Sequence, residues 1–151
     1  MLHLPTRETV EWRSIIVRPE LSEISAFCTE LTGHTQEGIA AGIPFAEACL
    51  VLERDFEAGR RVWASWGDYD RKQIQNQCEA AGIAYPLSQR HTNAKKVFAR
   101  EFRLKQAPGM AKALSLSGLE LIGRHHSGVD DAYNISRLIA LLVERGSWPH
   151  S

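Results

Sequence analysis

Three side chains in this sequence stand where they could share one piece of chemistry. Asp70 lies four residues before Ile74 and falls on the helical face that also carries Cys78 and Ala81. Asp131 lies four residues before Ile135, on the apolar stripe of the last helix. The segment running from Gly123 through Arg124, His125, His126, Ser127 and Gly128 brings a histidine, on a glycine-flanked loop, next to an acidic helix start. A partly buried carboxylate needs a partner. Hard oxygen ligands on rigid element ends suit Mg²⁺ or Mn²⁺, and an imidazole beside a carboxylate is a reasonable general base for activating water. Each feature also has an ordinary explanation. Aspartate is favoured at N-caps and in first helical turns, with Asp130 the better cap of its pair, and a lone loop histidine is commonly just solvated.

The elements that must hold these groups alternate between strand and helix. Glu11–Val17 is β-rich and stops at Pro19. Ser22 is the expected opening of a short helix closed by Gly33, and a second short helix follows Thr35. Pro44 leads into a stripe of Phe45, Ala48, Cys49, Leu52 and Phe56, with Gly59 as its stop. Arg61–Trp66 reads as a strand broken at Gly67, and Asp70–Ala81 as a helix stopped by Gly82. Helices over Lys95–Leu104 and Met110–Leu116 precede a small strand at Leu119–Ile122. The last helix carries Ile135, Leu138, Ile139, Leu142 and Val143 on one stripe. This order implies a layered α/β domain. Helices this apolar need a wider sheet than the visible strands provide, so the sheet reads as incomplete.

The bulk properties narrow the field without deciding it. With 151 residues, the chain is expected to form one domain, residues 1–151. Its 18 basic and 18 acidic residues give no overall attraction to nucleic acid. Locally, Arg90, Lys95, Lys96, Arg100, Arg103 and Lys105 face only Glu101 between positions 90 and 105. Lys96, Arg100 and Arg103 share one helical face, which suits either a solvated surface or phosphate contacts. Trp63 and Trp66 read as core or pocket wall rather than as stacking platforms. Three cysteines without a C-x-x-C pair argue against a disulfide framework and a zinc site. No apolar run reaches membrane-spanning length and the first residues are not a signal peptide, so a cytoplasmic, reduced protein is the default expectation.

Taken in order, the motifs resemble one family. Ser65-Trp66-Gly67-Asp68-Tyr69-Asp70 resembles the third acidic motif of the DEDDh 3′–5′ exonucleases, in the branch of the histone-mRNA and small-RNA 3′ exonucleases. Gly123 to Ile135 is similar to that branch's last motif, a histidine followed five residues later by an aspartate. His91, Asn93 and Lys95 resemble its H-x-N-x-K stretch, with Ala94 where leucine is commoner. Val17-Arg18-Pro19 and Leu31-Thr32-Gly33 match two further signatures in the right order.

The resemblance implies a ribonuclease-H-like mixed sheet flanked by helices. It also implies two-metal hydrolysis of a nucleic-acid 3′ end by Mg²⁺ or Mn²⁺, with RNA favoured over DNA. It makes Asp70 and Asp131 metal ligands and His126 the general base, and sets Leu31, Thr32 and Gly33 near the 3′-terminal nucleotide. His125 need not be catalytic. The family's first strand carries Asp-x-Glu, which does not occur before Val17. Residues 1–17 match the tail of the second family strand, a turn at Thr6-Arg7-Glu8, and the third strand. The domain is therefore expected to be N-terminally incomplete. A catalytically impaired nucleic-acid-binding relic and a truncated piece of an active enzyme are the alternatives.

Overall fold

The computed structural model describes residues 1–149. Two short strands open the chain, β1 (Leu2–His3) and β2 (Glu8–Thr9), paired antiparallel with Leu2 opposite Thr9. The turn between them uses Arg7 in the left-handed region at φ 62°, within the expected turn Thr6-Arg7-Glu8, but the strand that follows is Glu8–Thr9 and not the expected Glu11–Val17. Helices α1 (Ala26–Thr32), α2 (Gln36–Ala40) and α3 (Phe45–Phe56) follow. Next come β3 (Trp63–Ser65), α4 (Tyr69–Ala81), β4 (His91–Asn93) and α5 (Ala94–Glu101). The last two elements are α6 (Met110–Leu116) and α7 (Gly128–Glu144). β3 and β4 form a second two-stranded sheet.

Two compact units divide these residues. One comprises Met1–Arg13, Ala64–Asp70 and the chain from Thr92 onward; the other comprises Ser14–Trp63 and Arg71–His91.

The first unit is built on α7. Its inward stripe places Leu138 and Leu142, both fully buried, against Val97 and Phe98 of α5 and Met110, Ala113 and Leu114 of α6. Trp66 closes this core: its ring meets Phe98 edge-on at 5.6 Å and its indole N–H donates to the Pro108 carbonyl at 3.1 Å. Burying an apolar ring while satisfying its one polar atom is what a core tryptophan requires, so Trp66 is core, as expected. α5 ends three residues before the expected Leu104. Arg103 turns left-handed at φ 51° and the Leu104 N–H returns to the Ala99 carbonyl at 2.8 Å, a helix-terminating arrangement. Arg103 therefore leaves the helical face it was expected to share with Lys96 and Arg100.

In the second unit, Cys49 of α3 and Cys78 of α4 are buried neighbours, and burial pushes the Cys49 thiol up to about 11. Trp63 donates its indole N–H to the Ser88 carbonyl at 2.9 Å and packs on His91. The N-cap of α1 is Ser25, whose hydroxyl accepts from the Cys28 N–H, and not Ser22. α3 closes at left-handed Glu57, ahead of the expected Gly59.

Two expected strands are absent among the described residues. Glu11–Val17 contributes one parallel bridge, Val17 with Ile43, because strand geometry needs a neighbouring backbone to pair with. Leu119–Ile122 is not a strand either. Side chains of α7 take the place of a neighbouring strand, as described below. β4 was not foreseen: His91-Thr92-Asn93 carries no apolar alternation that would mark it.

Candidate active site

The site grows from the loop that feeds α7. Gly123 adopts φ 76° and His126 φ 69°, so the loop turns left-handed twice within four residues. Asp130 reaches back from the first turn of α7 and accepts the Arg124 N–H at 2.9 Å. A Cβ on Gly123 would lie 2.6 and 2.7 Å from the two Asp130 carboxylate oxygens, so this position admits no side chain without moving that clamp. Ser127 occupies the N-cap position. Asp130 thus closes the loop rather than capping the helix, and Asp131 is left to face the histidines.

Asn134 fixes the other end of the loop. It is fully buried, and its side-chain amide donates to the Ile122 carbonyl at 2.7 Å and to the Asp130 carbonyl at 2.8 Å. Its side-chain oxygen accepts from the Ile122 N–H at 3.1 Å and from Arg137 at 3.0 Å. Arg137 also donates to the Glu120 carbonyl at 2.7 Å. These bonds serve the backbone that a strand partner would otherwise serve, which is why Leu119–Ile122 is held without being a strand. Asn134 falls inside the Gly123–Ile135 motif, which by itself assigns it no role. The available signal was an amide side chain on the most apolar helix of the chain.

Between these anchors sit His125, His126 and Asp131. One ligand atom from each lies within 4.8 Å of the others. His125 Nδ1 is 3.2 Å from Asp131 Oδ1, and the two imidazole rings stack with centroids 3.9 Å apart. Asp131 is half-buried and His126 exposed. The expected pairing of His126 with Asp131 is therefore shared with His125, and it is His125 that contacts the carboxylate.

Asp70 is exposed in the first turn of α4 and is not among those three residues. Its expected core-facing position is not what is seen. The face behind it does bury Cys78 and partly covers Ile74, but Ala81 is exposed. The loop leading to Asp70 is pinned through Asp68, which accepts from Asn93 at 2.9 Å and pairs with Lys96 at 3.3 Å. Asn93 also caps α5 by accepting the Lys96 N–H at 3.1 Å. The H-x-N-x-K stretch acts here through Asn93, as a brace for the Asp68–Asp70 loop.

Leu31, Thr32 and Gly33 lie in the second unit, at the end of α1. Gly33 closes that helix at φ 80°, and the Thr32 hydroxyl donates to the Cys28 carbonyl at 2.7 Å. Leu31 is 38% exposed.

No family model matches the chain. Individual relatives do. It is 27% identical to the 3′–5′ exonuclease Snipper of Drosophila melanogaster, over 91% of this chain and 56% of that protein. It is 29% identical to 3′–5′ exoribonuclease 1 of Rattus norvegicus, over 86% of this chain and 41% of that one. The chain thus spans about half the length of these relatives. Its fold superposes with a TM-score of 0.87, at 25% identity, on the nuclease domain of 3′hExo, a DEDDh family member bound to rAMP, covering 97% of this chain and 78% of that one. The chain is similar in sequence to 3′–5′ exonucleases and in fold to a DEDDh nuclease domain. The fold also superposes on that of cell-death related nuclease 4, with a TM-score of 0.75 at 21% identity.

DEDDh exonucleases depend on divalent metal ions. The donors here fit such an ion in part. Asp131 supplies a hard oxygen, and two borderline imidazole nitrogens stand beside it. An alkaline-earth ion would take Asp131 and complete its shell with water and substrate phosphate.

Proposed function

We propose that the chain is a metal-dependent 3′–5′ exonuclease acting on nucleic-acid 3′ ends, RNA in preference to DNA, with Mg²⁺ or Mn²⁺. The observation that carries this reading is the meeting of His125, His126 and Asp131 at one loop–helix junction, in a chain with the DEDDh nuclease fold. RNA is favoured because the matched nuclease domain is described with rAMP bound, and the rat relative is named an exoribonuclease.

In this reading Asp70 and Asp131 hold the metal ions. These ions would supply the charge that stabilises the pentacoordinate phosphate and lowers the pKa of bound water. His126, exposed on its strained loop, takes the proton of the attacking water. The Asn134 and Asp130 bonds keep that loop in place; a contact of Leu31, Thr32 and Gly33 with a terminal nucleotide rests on the family resemblance alone. The assay is release of mononucleotides from a 3′-labelled RNA with Mg²⁺ or Mn²⁺ present. Loss of a general base costs roughly 10²–10⁴-fold, so His126→Ala should fall by that range and Asp131→Asn should abolish turnover. Release that persists in both variants would refute the assignment.

A second reading, nucleic-acid binding with little turnover, is favoured by one arrangement. Asp68 and Asp130, the carboxylates beside the two proposed ligands, are engaged by Asn93 and Lys96 and by the Arg124 N–H. RNA binding without metal-dependent release would select it.

A further inference from the structure

Three donors at one loop–helix junction converge where a single cation would fit. His125 Nδ1 lies 3.2 Å from Asp131 Oδ1, and one ligand atom from each of His125, His126 and Asp131 lies within 4.8 Å of the others. The His126 backbone N–H, 3.0 Å from His125 Nδ1, holds that ring beside the carboxylate.

The spacing suits one class of ion. Zinc-type ions bind imidazole nitrogen and carboxylate oxygen at about 2.0–2.2 Å, and donors 3.2 Å apart subtend about 100° at such an ion, near the tetrahedral angle. Borderline nitrogen donors also select transition ions over Mg²⁺. The thiolate sites that the cysteine pattern speaks against are a different donor set.

We propose that His125 and Asp131 form a bidentate site for a zinc-type transition ion, with His126 as its third ligand. His126 lies within reach and is exposed. Its ring is nearly parallel to that of His125, at 9°, so it must rotate about its side-chain bonds before its lone pair can point at the same ion. The fourth position falls to water, leaving an open site. Under the function proposed above, on which this consequence rests, the ion would occupy Asp131 and His126 together and so compete with the catalytic metals. Zinc would then inhibit the enzyme.

The test is Zn²⁺ titration of the 151-residue chain by calorimetry, with Co²⁺ as a spectroscopic probe whose visible bands report tetrahedral coordination. One ion should bind per chain, and Mg²⁺ at the same concentration should not displace it. His125→Ala should weaken binding roughly tenfold or more, with the Co²⁺ bands lost. Circular dichroism checks that the variant is folded, and His125→Gln serves as the second variant should alanine disturb the loop. Unchanged Zn²⁺ affinity in a folded His125 variant overturns the proposal, as does binding that disappears on Cys28→Ser instead. The two readings fail separately. His125-dependent Zn²⁺ binding in a chain that releases no nucleotide leaves the site standing and removes the exonuclease function. Mg²⁺-dependent release without any Zn²⁺ binding does the reverse.

Discussion

Replacing Asn134 should cost more stability than any other single polar change in this chain, and the size of the loss can be worked from its bonds. The side chain is fully buried and makes four hydrogen bonds, two with Ile122, one with the Asp130 carbonyl and one with Arg137. Asn134→Ala removes all four. A typical bond contributes about 0.5–1.5 kcal/mol net. Ile122 is 46% exposed, so water can recover part of what its backbone loses. Counting the two Ile122 bonds at the low end of that range, the other two across it, and a small cavity, the loss comes to about 2–4 kcal/mol. For a chain near 150 residues, each kcal/mol moves Tm by about 2–4 °C, so the transition should fall by roughly 4–16 °C. Thermal and urea denaturation measure this directly, and hydrogen exchange at the Ile122 amide reports the local opening. Asn134→Asp should be worse, because it loses both donated bonds and buries a charge. A loss below about 1 kcal/mol for Asn134→Ala would show that the loop is held by something other than this amide.

Three further outcomes are expected. Gly123 and Gly82 both lie in the left-handed region, at φ 76° and 64°, but a Cβ at Gly82 meets nothing within 4 Å. Gly82→Ala should therefore cost only the backbone term of about 1–2 kcal/mol, while Gly123→Ala should cost clearly more and should lower nuclease activity as the Asp130 clamp moves; equal losses in denaturant would refute the clamp. Thiol labelling of the native chain should modify exposed Cys28 quickly and leave buried Cys49 and Cys78 until the chain unfolds, since a neutral, buried thiol is a poor nucleophile; three fast thiols would contradict the packing of α3 on α4. The Glu101 carboxyl is held below its ordinary value by the Ser147 hydroxyl and by Arg145. A carboxyl depressed in the folded state stabilises above its unfolded value and loses that contribution as pH falls through its folded one. Glu101→Gln should thus flatten the acid side of the stability–pH curve below about pH 4.5, and an unchanged curve would remove Glu101 from the account.

How much was legible in the sequence depended on whether a feature is local. α4 and α6 stand within one residue of the positions that periodicity and glycine stops assign them, because helical hydrogen bonds are made inside the segment itself. Gly33 and Gly82 end their helices as expected, since a left-handed stop is a property of one residue. The strands fared worse for the opposite reason. Glu11–Val17 and Leu119–Ile122 have strand-like composition, yet a strand exists only when a second backbone answers it. For Ile122 the answer came from an amide on α7, which no strand propensity encodes.

The site shows the same division at finer scale. The family resemblance paired His126 with Asp131, while the residues by themselves placed only a loop histidine beside an acidic helix start. Spacing could not say that His125 would take the contact with the carboxylate. That choice is made by φ at His126, which at 69° folds its backbone N–H onto the His125 ring and turns both rings into a stack. Left-handed backbone at a residue other than glycine costs on the order of 1–2 kcal/mol, and it persists only where the surroundings enforce it. Here they do so from both ends: Asp130 holds Arg124 two residues before His126, and Asn134 holds Ile122 and the first turn of α7. The strained residue is also the one with the proposed proton-accepting role. Releasing either anchor should therefore relax His126 toward ordinary backbone and break the His125–Asp131 contact, so Asp130→Ala and Asn134→Ala should weaken zinc-type binding although neither residue touches the ion. Binding that survives both substitutions unchanged would mean that the histidine pair keeps its geometry without the loop, and the strain would then have no part in building the site.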